Sequence, residues 1–307
     1  MEFFRIQRDL PFMRYARTTV FVSLLLFVVA VGALLVRGLN LNVDFTGGTV
    51  IELQFPQAIS PSAIRGLLSA HHYRHARVEN YGTASKILIR LPTAGAKSKA
   101  LAVRVLRLVA THDPGVSLRS VEYVGPEVGS ELADQGALAL LFVALGITIY
   151  LTVRFEWRFA VGAIVATIHD VVIVLGVFAL FHISFSLTVL AAVLAVLGYS
   201  VNDTVVVFDR IRENFRRMRT GTTAEIIDSA ITRTLSRTIM THLLTQMMVL
   251  SMLFLGGPVL FGFALAMTVG IVVGTYGSVL VASPIVMWLG LKRDDLVARK
   301  AAAQERP

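Results

Sequence analysis

The sequence predicts a polytopic α-helical membrane protein with six transmembrane helices and one α+β extracytoplasmic domain between the first and second helices. Three observations support this fold class. Of the 307 residues, 55% are hydrophobic and only 16% are charged, with a mean hydropathy of +0.70. Soluble domains contain about 25% charged residues. The apolar residues gather into six runs, and one long mixed segment separates the first run from the second.

Each apolar run is long enough to cross a bilayer as a helix, which takes about 20 residues. The first run follows a basic segment, 1–17, and is not followed by a small-residue cleavage site, so we expect a retained helix over 18–37. The remaining five runs form a block over 136–291, with a cytoplasmic loop at 209–237 and a tail at 292–307. The apolar runs are 18–36, 136–153, 159–181, 187–208, 239–259 and 261–291.

The distribution of basic residues predicts the orientation in the membrane. Basic residues precede the first span, follow the last span and occur in the loops 154–158 and 209–237, whereas the connections near His182 and 256–258 contain no arginine or lysine. Cytoplasmic loops carry the excess of basic residues, so we expect both termini in the cytoplasm. This pattern also explains the net charge of +9 without a nucleic-acid partner, and it is compatible with contacts to anionic membrane lipids.

The segment 38–135 is predicted to lie outside the cytoplasm and to form a small α+β domain. Strands are expected at 49–55, 77–81, 86–91 and 117–124, with a turn at 82–85. Helices are expected from 60 to about 71 and over 96–110. The order strand, helix, strand, strand, helix, strand is that of ferredoxin-like domains.

Asp203 is the first candidate for a functional residue, because it lies beside Asn202 inside the fourth apolar run. An aspartate at the centre of a membrane helix costs about 2.5–3.5 kcal/mol, so a carboxylate there is a functional hypothesis by default. Arg237 begins the next span at a similar depth, and the two charges could pair if their helices touch. The alternative is that Arg237 reaches the head groups and Asp203 only supports packing.

Two further polar groups lie inside apolar runs. His169 and Asp170, in the middle of the third run, could form a proton relay or a satisfied hydrogen-bonding pair, and both interpretations stay open. A stripe of hydroxyls, with His242 and Gln246 beside it, lies on the same predicted helix as Arg237, and such hydroxyls are also ordinary contacts between membrane helices. The stripe consists of Thr234, Thr238, Thr241 and Thr245.

No pattern in the sequence predicts an enzyme, a cofactor or a metal site. Cysteine is absent, and there is no nucleophile elbow, phosphate-binding loop or HExxH pattern. His71 and His75 have ligand spacing only if helical, and no third ligand is evident.

Glycine pairs mark both connections between the α+β domain and the membrane helices. Gly47 and Gly48 follow the first span, and Gly125 and Gly129 precede the second. Glycine permits positive φ and close backbone approach, so these positions could act as a hinge or as a tight junction.

Several longer motifs, in a consistent order, carry a resemblance to a known family. The chain resembles the SecF members of the SecD/SecF family of protein-export membrane proteins, in the resistance-nodulation-division superfamily. The motifs are VDFTGGTVIEL at 43–53, VEYVGPEVGSEL at 121–132, FEWR at 155–158, HDVVIVLGVF at 169–178, GYSVNDTVVVFDRIREN at 198–214 and GGPVLFGF at 256–263.

The resemblance implies an inner-membrane subunit that forms a heterodimer with SecD and associates with the SecYEG channel and YidC. It implies that the proton gradient is used to complete the export of unfolded polypeptides. Family positions implicated in proton conduction fall on Asp203 and Arg237, while the principal proton-carrying aspartate belongs to SecD. The alternative is half of a proton-driven exporter of small molecules or lipids. A membrane enzyme and a passive scaffold are further rivals.

Overall fold

A computed structural model describes residues 8–92, 98–218 and 220–291. Within these ranges, six helices are long and apolar enough to cross a membrane, which confirms the predicted number of spans. Of the predicted N-terminal segment 1–17, residues 1–7 lie outside the described ranges. The whole of the predicted tail, 292–307, also lies outside them. The six spans are Met13–Arg37, Pro126–Arg154, Trp157–Leu180, Leu187–Arg217, Thr223–Leu255 and Gly257–Trp288.

The first span begins with a 3-10 turn at Met13–Tyr15 and continues as α1, Ala16–Arg37. Its start is attached to α8, the helix Thr223–Leu255. The Met13 backbone N–H donates to Asp228 Oδ1 at 2.8 Å, and the Leu10 N–H donates to Thr232 Oγ1 at 3.0 Å. Free N–H groups at a helix start need such acceptors, so these bonds fix the start of α1 against the N-terminal part of α8.

Two helices form the centre of the membrane block. In both α6 (Trp157–Leu180) and α7 (Leu187–Arg217), 56% of the most apolar stretch is buried. The second span, α5 (Pro126–Arg154), lies at the periphery, with only 11% buried. α6 and α7 thus occupy the interior of the block, where helices that are apolar on all faces are expected. By contrast, α1, α5 and α8 have broad apolar surfaces that no other described part of this chain covers.

The sixth span consists of three consecutive helical segments. α9, Gly257–Gly277, passes into a π-helical turn at Ser278–Ala282 and then into α10, Ser283–Trp288. Pro284 lacks an N–H, so the Leu280 carbonyl four residues earlier loses its helical donor. Thr19 Oγ1 of α1 lies 3.4 Å from that carbonyl oxygen, and Ser283 Oγ donates to the Ser278 carbonyl at 3.2 Å.

The α+β domain, residues 38–125, has the predicted order of strands and helices. Its sheet contains β2 (Gly48–Gln54), β3 (Arg77–Tyr81), β4 (Thr83–Leu91) and β5 (Ser117–Val124), in the antiparallel order β3-β4-β2-β5. The helices α3 (Pro61–Ala70) and α4 (Ser98–Ala110) pack on one face. Alternate strand residues meet the helices to form the core, which includes Ile51, Leu53, Ile64, Leu68, Ile87, Ile89, Val105 and Val109.

The turn predicted at 82–85 is wrong, because β4 already begins at Thr83. Gly82 has φ +78°, which lets the chain reverse at a single residue, and Tyr81 pairs with Thr83 across an irregular register. Of the predicted helix 96–110, residues 96 and 97 lie outside the described part, and the remainder is α4.

Several local elements and boundaries differ from those expected. A four-residue helix α2, Val43–Thr46, precedes β2, and a short strand β1, Asn40–Leu41, pairs in parallel with β6, Ser184–Phe185. α5 starts ten positions before the apolar run at 136, because Gly125 and Pro126 form a favourable helix start.

The segment 209–237 is mostly helical rather than a loop. α7 continues to Arg217, and α8 begins at Thr223. A capping box marks the start of α8: Glu225 N donates to Thr222 Oγ1 at 3.3 Å, and Thr222 N donates to Glu225 Oε2 at 2.7 Å.

Candidate functional site

Asp203 lies in the contact between α7, α8 and α9, and only 5% of it is exposed. Thr238 Oγ1 of α8 donates to Asp203 Oδ1 at 2.9 Å. Ser278 Oγ, at the junction of α9 with the π turn, donates to Asp203 Oδ2. A buried carboxylate needs hydrogen bonds to both oxygens, and here two other helices supply them.

The π turn begins at Ser278 and therefore lies directly beside this carboxylate. A π turn fits one extra residue into a helix and rotates the side chains that follow, and such turns recur at functional sites. Here the π turn is followed by Pro284. The hydroxyl of Thr19 lies near the Leu280 carbonyl, and the hydroxyl of Ser283 donates to the Ser278 carbonyl. The irregular segment is thus held in place by contacts with α1 and within itself.

His242 lies one helical turn after Thr238 and faces the same carboxylate. Its Nε2 is 3.7 Å from Asp203 Oδ1, and its Nδ1 contacts Thr275 Oγ1 of α9. Its ring centroid is 4.9 Å from that of Tyr199. A second titratable group therefore adjoins Asp203.

A small cleft of about 50 Å³ opens beside Asp203 and is large enough for water. Arg237 and Asn202 are both exposed and line this cleft, which places the predicted residues in one site. Among the residues that the structure describes, no ion pair joins Arg237 to Asp203, although α7 and α8 are in contact. The complete lining is Tyr199, Asn202, Asp203, Val206, Arg237, Thr238, Thr241 and His242.

His169 and Asp170 form a second polar cluster within the helices. Asp170 is 0% exposed, and its Oδ1 lies 2.9 Å from His169 Nδ1. Ser200 Oγ of α7 donates to Asp170 Oδ2 at 2.6 Å. On the other side, His169 Nε2 is hydrogen-bonded to Ser23 Oγ of α1. The cluster therefore links α1, α6 and α7 through one continuous set of hydrogen bonds.

The two clusters adjoin each other along α7 and α9. Ser200, which binds Asp170, precedes Asp203 by three residues and therefore lies about one turn away. On α9, Gly277 packs on the Asp170 carboxylate, and the next residue is Ser278. A methyl group added at Gly277 would lie 2.5 Å from Asp170 Oδ1. The absence of a side chain at this position allows α9 to approach α6 closely.

The glycines at the two connections bring their backbones together. A Cβ at Gly129 would lie 2.7 Å from the Gly47 nitrogen, and one at Gly47, which has φ +68°, would lie 2.7 Å from the Pro126 Cα. Gly48, with φ +135°, similarly packs against the Leu91 carbonyl, whereas the space around Gly125 is open. At Gly47, Gly48 and Gly129 the absence of a side chain therefore allows two backbone segments to approach each other closely.

Some residues of the site were not identified from the sequence. Ser278, Thr275 and Ser23 lie in long apolar runs and were not singled out, and His242 was noted only beside the hydroxyl stripe. The close succession of Ser278, Ser283 and Pro284 is the signal that could have indicated a break in the last helix. Within the described ranges, no group of three or more His, Cys, Asp or Glu residues could hold a metal ion.

Comparison with known families gives two consistent matches. A sequence model described as "Protein export membrane protein SecD/SecF, C-terminal" matches residues 105–292. A second, described as "SecD/SecF GG Motif", matches residues 32–58, which contain Gly47 and Gly48 of the first connection.

Curated relatives match over nearly their entire length. The chain is 43% identical over 290 residues to the protein translocase subunit SecF of Pseudomonas aeruginosa, covering 93% of this chain and 94% of the relative. It is 41% identical over 295 residues to the corresponding subunit of Vibrio alginolyticus, covering 95% and 94%.

Solved structures of SecDF share the fold. The crystal structure of SecDF from Thermus thermophilus, a translocon-associated membrane protein, superposes with a TM-score of 0.84 at 38% identity. The match covers 93% of this chain but only 39% of that one. A SecDF structure in a super-membrane-facing form gives a TM-score of 0.69 at 36% identity, covering 98% of this chain and 41% of that one.

Proposed function

Because this chain belongs to the SecD/SecF family of protein-export membrane proteins, we propose that it acts as the SecF subunit of a protein translocase and promotes late polypeptide export together with SecD. It is a multi-pass inner-membrane protein, and its relatives are named as translocase subunits. Those names do not favour the alternative of a small-molecule or lipid exporter, and they indicate a transport role rather than an enzymatic one.

The same relationship supports the proposed partners, and the distribution of basic residues supports the proposed orientation. SecD is the partner, since the chain matches about two fifths of each SecDF structure. We further propose association with the SecYEG channel and YidC, with cytoplasmic termini and the α+β domain on the opposite side. The broad apolar surfaces of α1, α5 and α8 support packing against SecD or lipid. The basic residues beside the helices support this orientation.

The observation that carries the mechanism is the buried Asp203 carboxylate, which binds hydroxyls of two neighbouring helices and adjoins a water-sized cleft. In the proposed mechanism Asp203 takes up and releases a proton, with Arg237 and Asn202 at the cleft. His169 and Asp170 extend the polar contacts toward α1. A proton crossing about 100 mV supplies about 2.3 kcal/mol, which is enough to bias a conformational equilibrium.

The α+β domain is proposed to respond to this proton movement by changing its orientation. The close backbone contacts of Gly47 with Gly129 and Pro126 support a pivot in which both connections move as one unit. A domain attached by two independent flexible linkers would not transmit movement of the helices.

The test is the variant Asp203→Asn, which keeps the size of the side chain but cannot exchange a proton. Export would be measured in inverted vesicles with and without a proton gradient, after co-purification has verified assembly with SecD. We expect the gradient-driven component to disappear, while the export that remains without a gradient is unchanged.

The matched control is Asp134→Asn, which makes the same chemical change at an exposed position of α5. It is expected to retain the gradient-driven component. If Asp203→Asn retained it as well, the proposed role of Asp203 would be refuted.

A further inference from the structure

His242 occupies a position from which it can exchange a proton with Asp203. It is only 8% exposed, and its Nε2 is 3.7 Å from Asp203 Oδ1. It lies four residues after Thr238, so both side chains project from the same face of α8 toward α7. His242 is also outside every motif on which the family resemblance rests.

The hydrogen bonds around the imidazole determine which nitrogen faces the carboxylate. Thr275 Oγ1 donates its single proton to the Ile271 carbonyl at 2.6 Å. The same oxygen contacts His242 Nδ1 and therefore accepts from it, which places the proton of a neutral ring on Nδ1. Nε2 then carries a free lone pair directed toward Asp203.

The separation of 3.7 Å is longer than a proton-transfer contact of about 2.6–3.2 Å, but catalytic contacts are often long in a resting structure. A movement of either side chain by about 0.5–1 Å, or one water, closes this gap. Both residues line the cleft of about 50 Å³, so a water there can contact Nε2.

The other groups near the imidazole leave Asp203 as its proton partner. From α7 the facing groups are Asp203 and Tyr199, and from α8 Arg237 lines the same cleft. In the described part of α9, the group in contact is the hydroxyl of Thr275, while the phenol of Tyr276 donates to a carbonyl of α1.

We propose that His242 carries the proton between the cleft and Asp203. The step breaks the O–H bond of protonated Asp203 and forms an N–H bond at Nε2, giving a carboxylate and an imidazolium. The imidazolium then passes the proton to water in the cleft and returns to the neutral ring. The step requires His242 to bind and to lose a proton in each cycle, so the pH dependence of export should change when the imidazole is removed. The inference rests on the proposed proton-driven function and adds a second proton-carrying residue to it.

The test compares His242→Gln with the matched control Gln246→Ala. Gln246 lies one turn further along α8 and donates to Thr268 of α9, without contacting Asp203. The gradient-driven export of SecD-bound chain would be measured in vesicles from pH 5 to 8. We expect His242→Gln to lower this component at least about tenfold and to flatten its dependence on pH, because proton transfer by a positioned side chain contributes about 10²–10⁴-fold. The control is expected to keep the wild-type profile.

The possible outcomes separate this inference from the proposed function. A wild-type rate and pH profile in His242→Gln, with loss of gradient-driven export in Asp203→Asn, would overturn the role of His242 alone. Full activity in both variants would overturn the proposed proton-carrying role of Asp203, and with it the inference for His242. An equal loss of export with and without a gradient would indicate a purely structural role and would also overturn the inference.

A second variant covers the case in which His242→Gln does not assemble with SecD. Thr275→Val removes the acceptor that fixes the ring tautomer but retains the imidazole and the side-chain volume. We expect it to lower gradient-driven export several-fold, and an unchanged rate would contradict the inference.

Discussion

Replacing Gly277 with alanine should disturb the buried Asp170 carboxylate. The added Cβ would lie 2.5 Å from Asp170 Oδ1 and 2.8 Å from Oδ2, whereas such contacts are normally longer than 3.0 Å. The carboxylate cannot rotate freely away, because it is fully buried and hydrogen-bonded to His169 and Ser200. It must therefore shift and weaken at least one of these bonds.

The size of the effect follows from two opposing terms. A lost hydrogen bond to a charged group costs about 1.5–3 kcal/mol. The change from glycine to alanine inside a helix stabilises the folded state by up to about 1 kcal/mol. We therefore expect Gly277→Ala to lower the free energy of unfolding by about 0.5–2 kcal/mol.

Gly274→Ala provides the control on the same face of α9. Its Cβ would lie 3.4 Å from Ser200 Cβ and 3.6 Å from Asp170 Oδ2, which are ordinary contacts. This variant should therefore gain up to about 1 kcal/mol. Because the helix term is common to both variants, they should differ by the lost hydrogen bond, about 1.5–3 kcal/mol. This difference corresponds to about 3–12 °C in the midpoint of thermal unfolding.

The assay is thermal unfolding of each variant, purified with SecD in a mild detergent. Equal midpoints for Gly277→Ala and Gly274→Ala would refute the argument that Asp170 is held rigidly against α9. A lower midpoint for Gly274→Ala would refute it as well.

Two further predictions concern the α+β domain and its connections. Gly129→Ala places a Cβ 2.7 Å from the Gly47 nitrogen and should destabilise the junction by about 1–3 kcal/mol relative to Gly146→Ala, whose Cβ meets open space on the same helix. Faster proteolysis at the junction would show this, and equal rates would contradict it. Burial, followed by the charge of Glu52, raises the pKa of the Tyr81 phenol, so the folded state retains this proton more strongly than the unfolded state. Stability contributed by Tyr81 is therefore lost as pH rises above about 10. The difference in tyrosinate absorbance between wild type and Tyr81→Phe should titrate above about pH 10, and a midpoint at or below that value would contradict the burial argument.

The sequence was sufficient for the number of spans and for the order of elements in the α+β domain. Length and apolar composition determine whether a segment can cross a bilayer, and both are local properties. The alternation of apolar residues in β2 and β4 is equally local, and it identifies the sheet face that packs on α3 and α4.

The contacts between helices could not be predicted in the same way. α6 and α9 are apolar on nearly all faces, so their sequences contain no polar stripe that indicates which side meets which neighbour. The bond of Ser278 to Asp203 depends on the π turn, and the bond of Ser23 to His169 depends on the rotation of α1. Asp203 could be selected from its chemical cost alone, but its partners require three-dimensional packing.

The proposed proton-carrying role of Asp203 requires that its neighbours accommodate both the carboxylate and the carboxylic acid. An arginine paired with Asp203 would act only as a donor, so protonation of the carboxylate would break the pair and leave a buried charge. A hydroxyl can donate to a carboxylate and, after rotation, accept from a carboxylic acid. Thr238 and Ser278 supply such hydroxyls, while Arg237 lines the cleft. In the proposed mechanism, protonation of Asp203 would therefore require only the rotation of hydroxyl hydrogens, without breaking a buried ion pair.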